Sequence, residues 1–222
     1  MSSTGKQTDN NKQTKGTRTM RTETNEIQIY SFNELSEEAQ QKAIKEVVEQ
    51  KRDYGNDYFF EFTLDHWKEK LSSLGFLDPE IQFSGFWSQG DGACFDCKQI
   101  DLNVLFAHLG AQGNKYAKKA LRFDLPFYLF GSIDQNSFAT HYCHERTRSF
   151  SFDGFHVRER CYRLERLVAA LEEDIEILRY DLCNEIYRDL EREYDYQLSE
   201  EVIKEDIEAN NYEFLADGSL YS

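Results

Sequence analysis

Phe83-Ser84-Gly85-Phe86-Trp87-Ser88-Gln89-Gly90-Asp91-Gly92-Ala93-Cys94-Phe95 places a Gly-Asp-Gly turn between two aromatic-rich segments, and it reads as a β-hairpin. Glycine at 90 and 92 supplies the backbone freedom a hairpin loop needs, and Phe83, Phe86, Trp87 and Phe95 have the bulk that strands favour. A loop of two residues, Gly90-Asp91, or of four, Gln89 to Gly92, gives one pairing: Ser88 with Ala93, Trp87 with Cys94, Phe86 with Phe95. Phe86 and Phe95 then form a cross-strand pair on the face opposite Trp87, so the ribbon is covered on both faces or offers one to a partner. Trp87, Gln89 and Asp91 are the partner-binding candidates of this loop, because loops on rigid hairpins carry binding groups.

Outward from the hairpin, 26–32 alternates as a short strand and Ser36 caps a helix whose first turn holds Glu37 and Glu38. A second helix over 57–74 puts Phe60, Leu64, Trp67 and Leu71 on one stripe and ends at Gly75. Short helices are expected over 102–109 and 115–123, then strands over 127–133, 137–145 and 148–152 with a turn at 134–136. From 157 to 196 runs a long helix with Leu164, Val168, Leu171, Ile175, Leu178, Leu182, Ile186 and Leu190 at helical spacing. Ser199 caps a last helix with Val202, Ile203 and Ile207 inward, and 212–215 adds a terminal strand. The order predicts an α+β fold: a mostly antiparallel sheet with a central β-hairpin, packed by N-terminal helices and a long C-terminal amphipathic helix. The long stripe suits packing on the sheet or pairing with a second copy in a homodimer.

Residues 1–25 contain almost no apolar side chains and read as a disordered tail, leaving 26–222 as a single α+β domain. Neither a signal peptide nor a bilayer-length apolar run is present, so a soluble, cytoplasmic protein without a membrane partner is expected. Five cysteines, an odd count, suit reduced thiols. Cys94 and Cys97 form a CxxC, but on one strand residues three apart face opposite ways and do not grip one metal.

Five bases against two acids give the tail +3, so a chain total of −15 puts −18 on residues 26–222. Such a body repels phosphates, so direct nucleic-acid binding by it is not expected, whereas a protein with a basic surface is a fitting partner. Residues 165–213 hold seventeen acids and five bases. Extended as helix, that is one net charge per roughly 6 Å, well short of duplex DNA at about one per 1.7 Å, so the pattern permits nucleic-acid mimicry without indicating it. Glu172, Glu173, Glu176, Glu191 and Glu193, off the Leu/Ile stripe, are the acidic partner-binding candidates.

His141, Cys143, His144 and Glu145 form the one cluster with metal-ligand chemistry. On a strand His141 and Cys143 share a face and His144 takes the other, so the missing ligands would have to come from elsewhere, His156 or Cys161 for instance. No paired carboxylates and no nucleophile-base spacing accompany it, so no catalytic residue, cofactor or metal is assigned. A metal-dependent or nucleotide-processing enzyme centred on His141 and His144 is the alternative reading.

Three segments carry a resemblance: Tyr30-Ser31-Phe32-Asn33-Glu34-Leu35-Ser36-Glu37-Glu38-Ala39, the hairpin from Phe83 to Phe95, and Glu208-Ala209-Asn210-Asn211-Tyr212-Glu213-Phe214 with Asp217-Gly218. They resemble a family of small acidic proteins encoded by phages and prophages, some members of which are labelled antitoxin of a toxin-antitoxin stability system. The resemblance implies a phage or mobile-element accessory protein inside a bacterial host cell. Its expected action is to bind and inhibit or neutralise a host protein, a defence protein or a toxin, without catalysis.

Overall fold

The computed structural model describes residues 26–53, 59–137, 142–153 and 162–221. The expectations for the tail, for His141, His156 and Cys161, and for the start of the long helix at 157 fall outside those residues. The expected α+β class is what the chain forms, with six α-helices and eight short strands among the described residues. The strands do not make one sheet. They form four two-stranded antiparallel ribbons, with a bridge between Cys97 and Ile133 tying two of them together.

Two apolar clusters organise the chain. The larger is built on α5 (Tyr162–Gln197), whose Leu171, Ile175, Ile186 and Leu190 are fully buried at the predicted spacing. Full burial of such a side chain is worth about 1.5–3 kcal/mol over leaving it in water. Against this stripe pack the hairpin β3 (Glu80–Ser84) and β4 (Gly92–Asp96), the ribbon β6 (Phe130–Gln135) and β7 (Arg148–Asp153), and α2 (Glu61–Ser73). The stripe is therefore covered within the chain, and a second copy would have to use another face.

Helix α2 ends where Gly75 turns left-handed at φ +103°, with no room for a Cβ beside the Asp101 carbonyl. That turn lets β2 (Phe76–Leu77) pair with β5 (Gln99–Ile100), and Phe76 meets Phe95 edge-on at 5.3 Å. Asp101 and Asn114 cap α3 (Leu102–Ala111) and α4 (Lys115–Arg122), the two short helices expected there.

The smaller cluster joins the two ends of the described chain. Strand β1 (Tyr30–Ser31) pairs with β8 (Glu213–Phe214), and α1 (Glu37–Asp53) packs on α6 (Glu200–Ala209) around Ala43, Val47, Ile203 and Phe214. Ser36 and Ser199 cap these helices as predicted, through bonds accepted from the N–H groups of Ala39 and Val202. Gly218, at φ +84°, lies directly against the backbone of Ala39, and Lys42 pairs with Asp217 at 2.7 Å.

Three expectations are corrected. The 26–32 strand shrinks to Tyr30–Ser31, because Ile27 and Ile29 stand exposed and have no core face to fill. No strand spans 137–145 among its described residues, since His144 begins a 3-10 turn (Glu145–Thr147), while β6 continues through 134 and 135 where a turn was expected. The third is the hairpin register: Ser84 pairs with Gly92, Phe83 with Ala93 and Ile81 with Phe95, so the loop spans residues 85–91 and Phe86 does not face Phe95. The core explains the shift, for Phe86 leaves the strand and buries among Phe60, Tyr187 and Tyr194.

Candidate functional site

Residues 85–91 form a loop held against the C-terminal half of α5. The Asp91 carboxylate accepts the N–H of Ser88 at 2.7 Å, and the Asp91 N–H returns to the Ser88 carbonyl at 3.1 Å. From the helix, the Tyr187 hydroxyl donates to the Gly85 carbonyl at 3.4 Å. Within this clamp Trp87 takes a left-handed backbone at φ 76°, a conformation that costs a bulky residue on the order of 1–3 kcal/mol. Its ring is 68% exposed, while one edge rests on Tyr194 at 5.2 Å.

Gly90 and Gly92 serve different ends here. Gly90 supplies the positive φ of 96°, as the sequence predicts, and its Cα leaves space for the exposed Tyr142 ring. Gly92 sits in β4, where a Cβ would fall 2.5 Å from the Cβ of His144.

Asp91 and Glu191 border the same surface. Burial, followed by the charges of these two carboxylates, pushes the Tyr187 phenol above its usual range, so it stays a donor at neutral pH. An exposed indole rimmed by carboxylates suits a cationic side chain, which gains from the ring face and the negative rim together. Trp87, Gln89, Asp91 and Glu191 are thus brought together. Tyr142, Tyr187 and Tyr194 complete the surface, and the sequence reading missed them because no local pattern places 142 beside 90.

The remaining acidic candidates do not join them. Glu193 follows Glu191 by two positions, about 200° around a helix, and borders a groove with Phe62, His66 and Tyr196 on the α2 side. Glu172 and Glu176 are turned inward: they accept the N–H groups of Phe152 at 3.3 Å and Phe150 at 3.1 Å, capping the free edge of β7. Four residues of helix rise about 6 Å and two of strand about 6.7 Å, so the two carboxylates match the two strand donors. Glu176 also holds the fully buried Arg179, which donates to the Glu145 carbonyl at 2.7 Å. Of the three, Glu173 alone stands exposed, roughly 27 Å along α5 from Glu191.

Among the described residues no group of three His, Cys, Asp or Glu side chains is placed to hold a metal ion. His144 spends its Nδ1 accepting the N–H of Arg146 at 3.2 Å. Cys94 and Cys97 are both buried, and the Cys97 thiol donates to the carbonyls of Leu77 and Gln99. Burial pushes Cys97 up to about 11 and Cys183 to about 12, which leaves both protonated and poorly nucleophilic at neutral pH. No helix among the described residues is long and apolar enough to cross a membrane.

Residues 59–200 match the family described as Domain of unknown function (DUF8835). No curated protein and no solved structure matches the chain. The matched span contains the whole α5-centred cluster, the hairpin and the Trp87 loop, whereas the cluster joining the chain ends lies outside it. The chain therefore belongs to the DUF8835 family.

Proposed function

We propose that the protein acts by contact, as a non-catalytic binder that docks a basic segment of a host protein on the Trp87 loop and the adjoining face of α5. The observation that carries this reading is Trp87 itself: an exposed indole in a left-handed backbone, clamped by Asp91 and Tyr187 and supported by Tyr194. Strain of this kind persists where the surroundings impose it, and a preorganised aromatic loses little entropy on binding. Asp91 and Glu191 supply the charge complement, and the acidity of the rest of the body steers a basic partner toward it.

The resemblance to phage and prophage proteins supplies the setting, a bacterial host cell in which a defence protein or toxin is neutralised by binding. A non-catalytic role is supported by the engaged His144 and the protonated buried thiols. The test is affinity capture on the tagged full-length chain from infected host cells. One stoichiometric partner, released by salt and lost with Trp87→Ala or Glu191→Lys, is the expected result; an unchanged protein set with these variants contradicts it.

A further inference from the structure

At the opposite end of α5 the charge reverses. Between α4 and the start of α5 lies a recess of about 320 Å³ lined by Tyr116, Lys119, Tyr162, Arg163, Arg166 and Leu167, with no carboxylate among the described residues of its wall. That volume falls in the range of small-ligand sites and suits a single nucleotide. Ala117 and Ala120 turn inward, which leaves Lys115, Lys118 and Arg122 on the exposed side of α4. None of the six cations at this end has an ion-pair partner among the described residues, in a chain with 41 acids to 26 bases. Beside them stand four exposed aromatic rings, Phe123, Phe127, Tyr128 and Phe130, at 57–80% exposure. Lys119 reaches from the recess to within 5.9 Å of the Phe123 ring centre.

We infer that this end binds single-stranded nucleic acid, with a phosphate in the Lys119–Arg163–Arg166 recess and unpaired bases stacked on the Phe123, Phe127 and Phe130 rings. The net charge of −18 on residues 26–222 argues against such binding only if it is spread evenly, and it is not. Glu191 is 25 residues from Arg166 on one helix, about 38 Å, several Debye lengths at physiological salt. Of the nearer acids that follow Arg166, Glu172 is engaged by the Phe152 N–H and Asp174 by the Asn114 amide, and Glu173 stands exposed about 10 Å along the axis. Only Asp124 and Glu165 are acidic within the two segments 115–130 and 162–168 that carry the six cations. Exposed rings beside a basic track are the platform that a flexible strand uses, and a duplex keeps its base faces stacked away from them. A concave recess admits a phosphate on a flexible strand, whereas a flat lipid headgroup plane does not enter it.

The test is fluorescence anisotropy of the full chain with labelled oligothymidylate and oligouridylate of about fifteen nucleotides, a length within single-strand site sizes. The expected result is a dissociation constant on the order of 10 µM, with a log-log salt slope between about −2 and −4 as three to six phosphates are neutralised. The DNA and RNA arms tell which strand is preferred. Lys119→Glu/Arg163→Glu/Arg166→Glu should weaken binding at least tenfold. Phe127→Ala/Phe130→Ala, at exposed positions that leave the core intact, should weaken it about tenfold with the salt slope unchanged. Replacing the five tail bases with Gln should leave most of the binding. Binding lost with the tail substitutions but kept in the recess variant overturns the inference, as does no binding to either oligonucleotide at low salt. Binding to anionic phosphatidylglycerol vesicles in place of the oligonucleotides overturns it equally.

Discussion

Glu176 grips the buried Arg179 through both carboxylate oxygens, at 2.9 and 2.6 Å, and one of those oxygens also accepts the N–H of Phe150. One side chain thus neutralises a guanidinium that has no access to water and caps a strand edge. Glu176→Ala strands both, and removing one member of such a pair costs about 3 kcal/mol. Glu173→Ala, three residues away and exposed, should change stability by less than about 0.5 kcal/mol. Urea unfolding of the two variants measures the contrast; equal midpoints contradict the assignment.

The same contact sets a pH response. Burial alone would raise the Glu176 carboxyl, but the bonds from Arg179 and Phe150 and the charge of Arg179 outweigh it and hold the group below its ordinary 4.5. A depressed carboxyl contributes stability above its unfolded value and loses it as pH falls through the folded one. Wild-type stability should therefore fall below about pH 4.5 more steeply than that of Glu176→Gln, as thermal melts at pH 3 to 6 would show.

Long-range packing of this sort explains what the sequence could and could not reveal. The α5 stripe, the Ser36 and Ser199 caps and the Gly75 stop are legible because each depends on residues within a turn or two of one another. The hairpin register is not, because Phe86 chooses a pocket made by Phe60, Tyr187 and Tyr194, all distant in the chain, over a cross-strand partner. Glu172 and Glu176 look like solvated acids until β7 is laid beside α5. Of the candidate site, the loop residues were legible from their turn chemistry, while Tyr142 and Tyr194 depended on the fold.

The thiols should divide by burial. Cys94, Cys97 and Cys183 are buried and Cys143 is half-buried, so no more than two of the five cysteines should react promptly with Ellman's reagent in the native protein, and all five in guanidinium. Burial raises Cys97 to about 11 and Cys183 to about 12 from 9.0. Their contribution to stability is complete below pH 9.0 and fades as pH climbs toward those values, so Cys97→Ala should flatten the alkaline decline. A prompt reaction of four or five thiols contradicts the burial.

Trp67 is 1% exposed and Trp87 68%, so acrylamide should quench the wild-type emission strongly and that of Trp87→Phe weakly. Asp91→Ala frees the Ser88 N–H and loosens the loop, which should lower the steady-state anisotropy of Trp87 without moving the melting temperature by more than a few degrees. An anisotropy equal to wild type contradicts the clamp.

The most direct measurement of the contact account is the dissociation constant of the captured host partner for wild type, Trp87→Ala, Glu191→Lys and Glu173→Lys at two salt concentrations. Loss of tenfold or more for Trp87→Ala and Glu191→Lys, with Glu173→Lys near wild type and affinity falling at high salt, is the result expected of a docked basic segment. Equal affinity across all four proteins contradicts it.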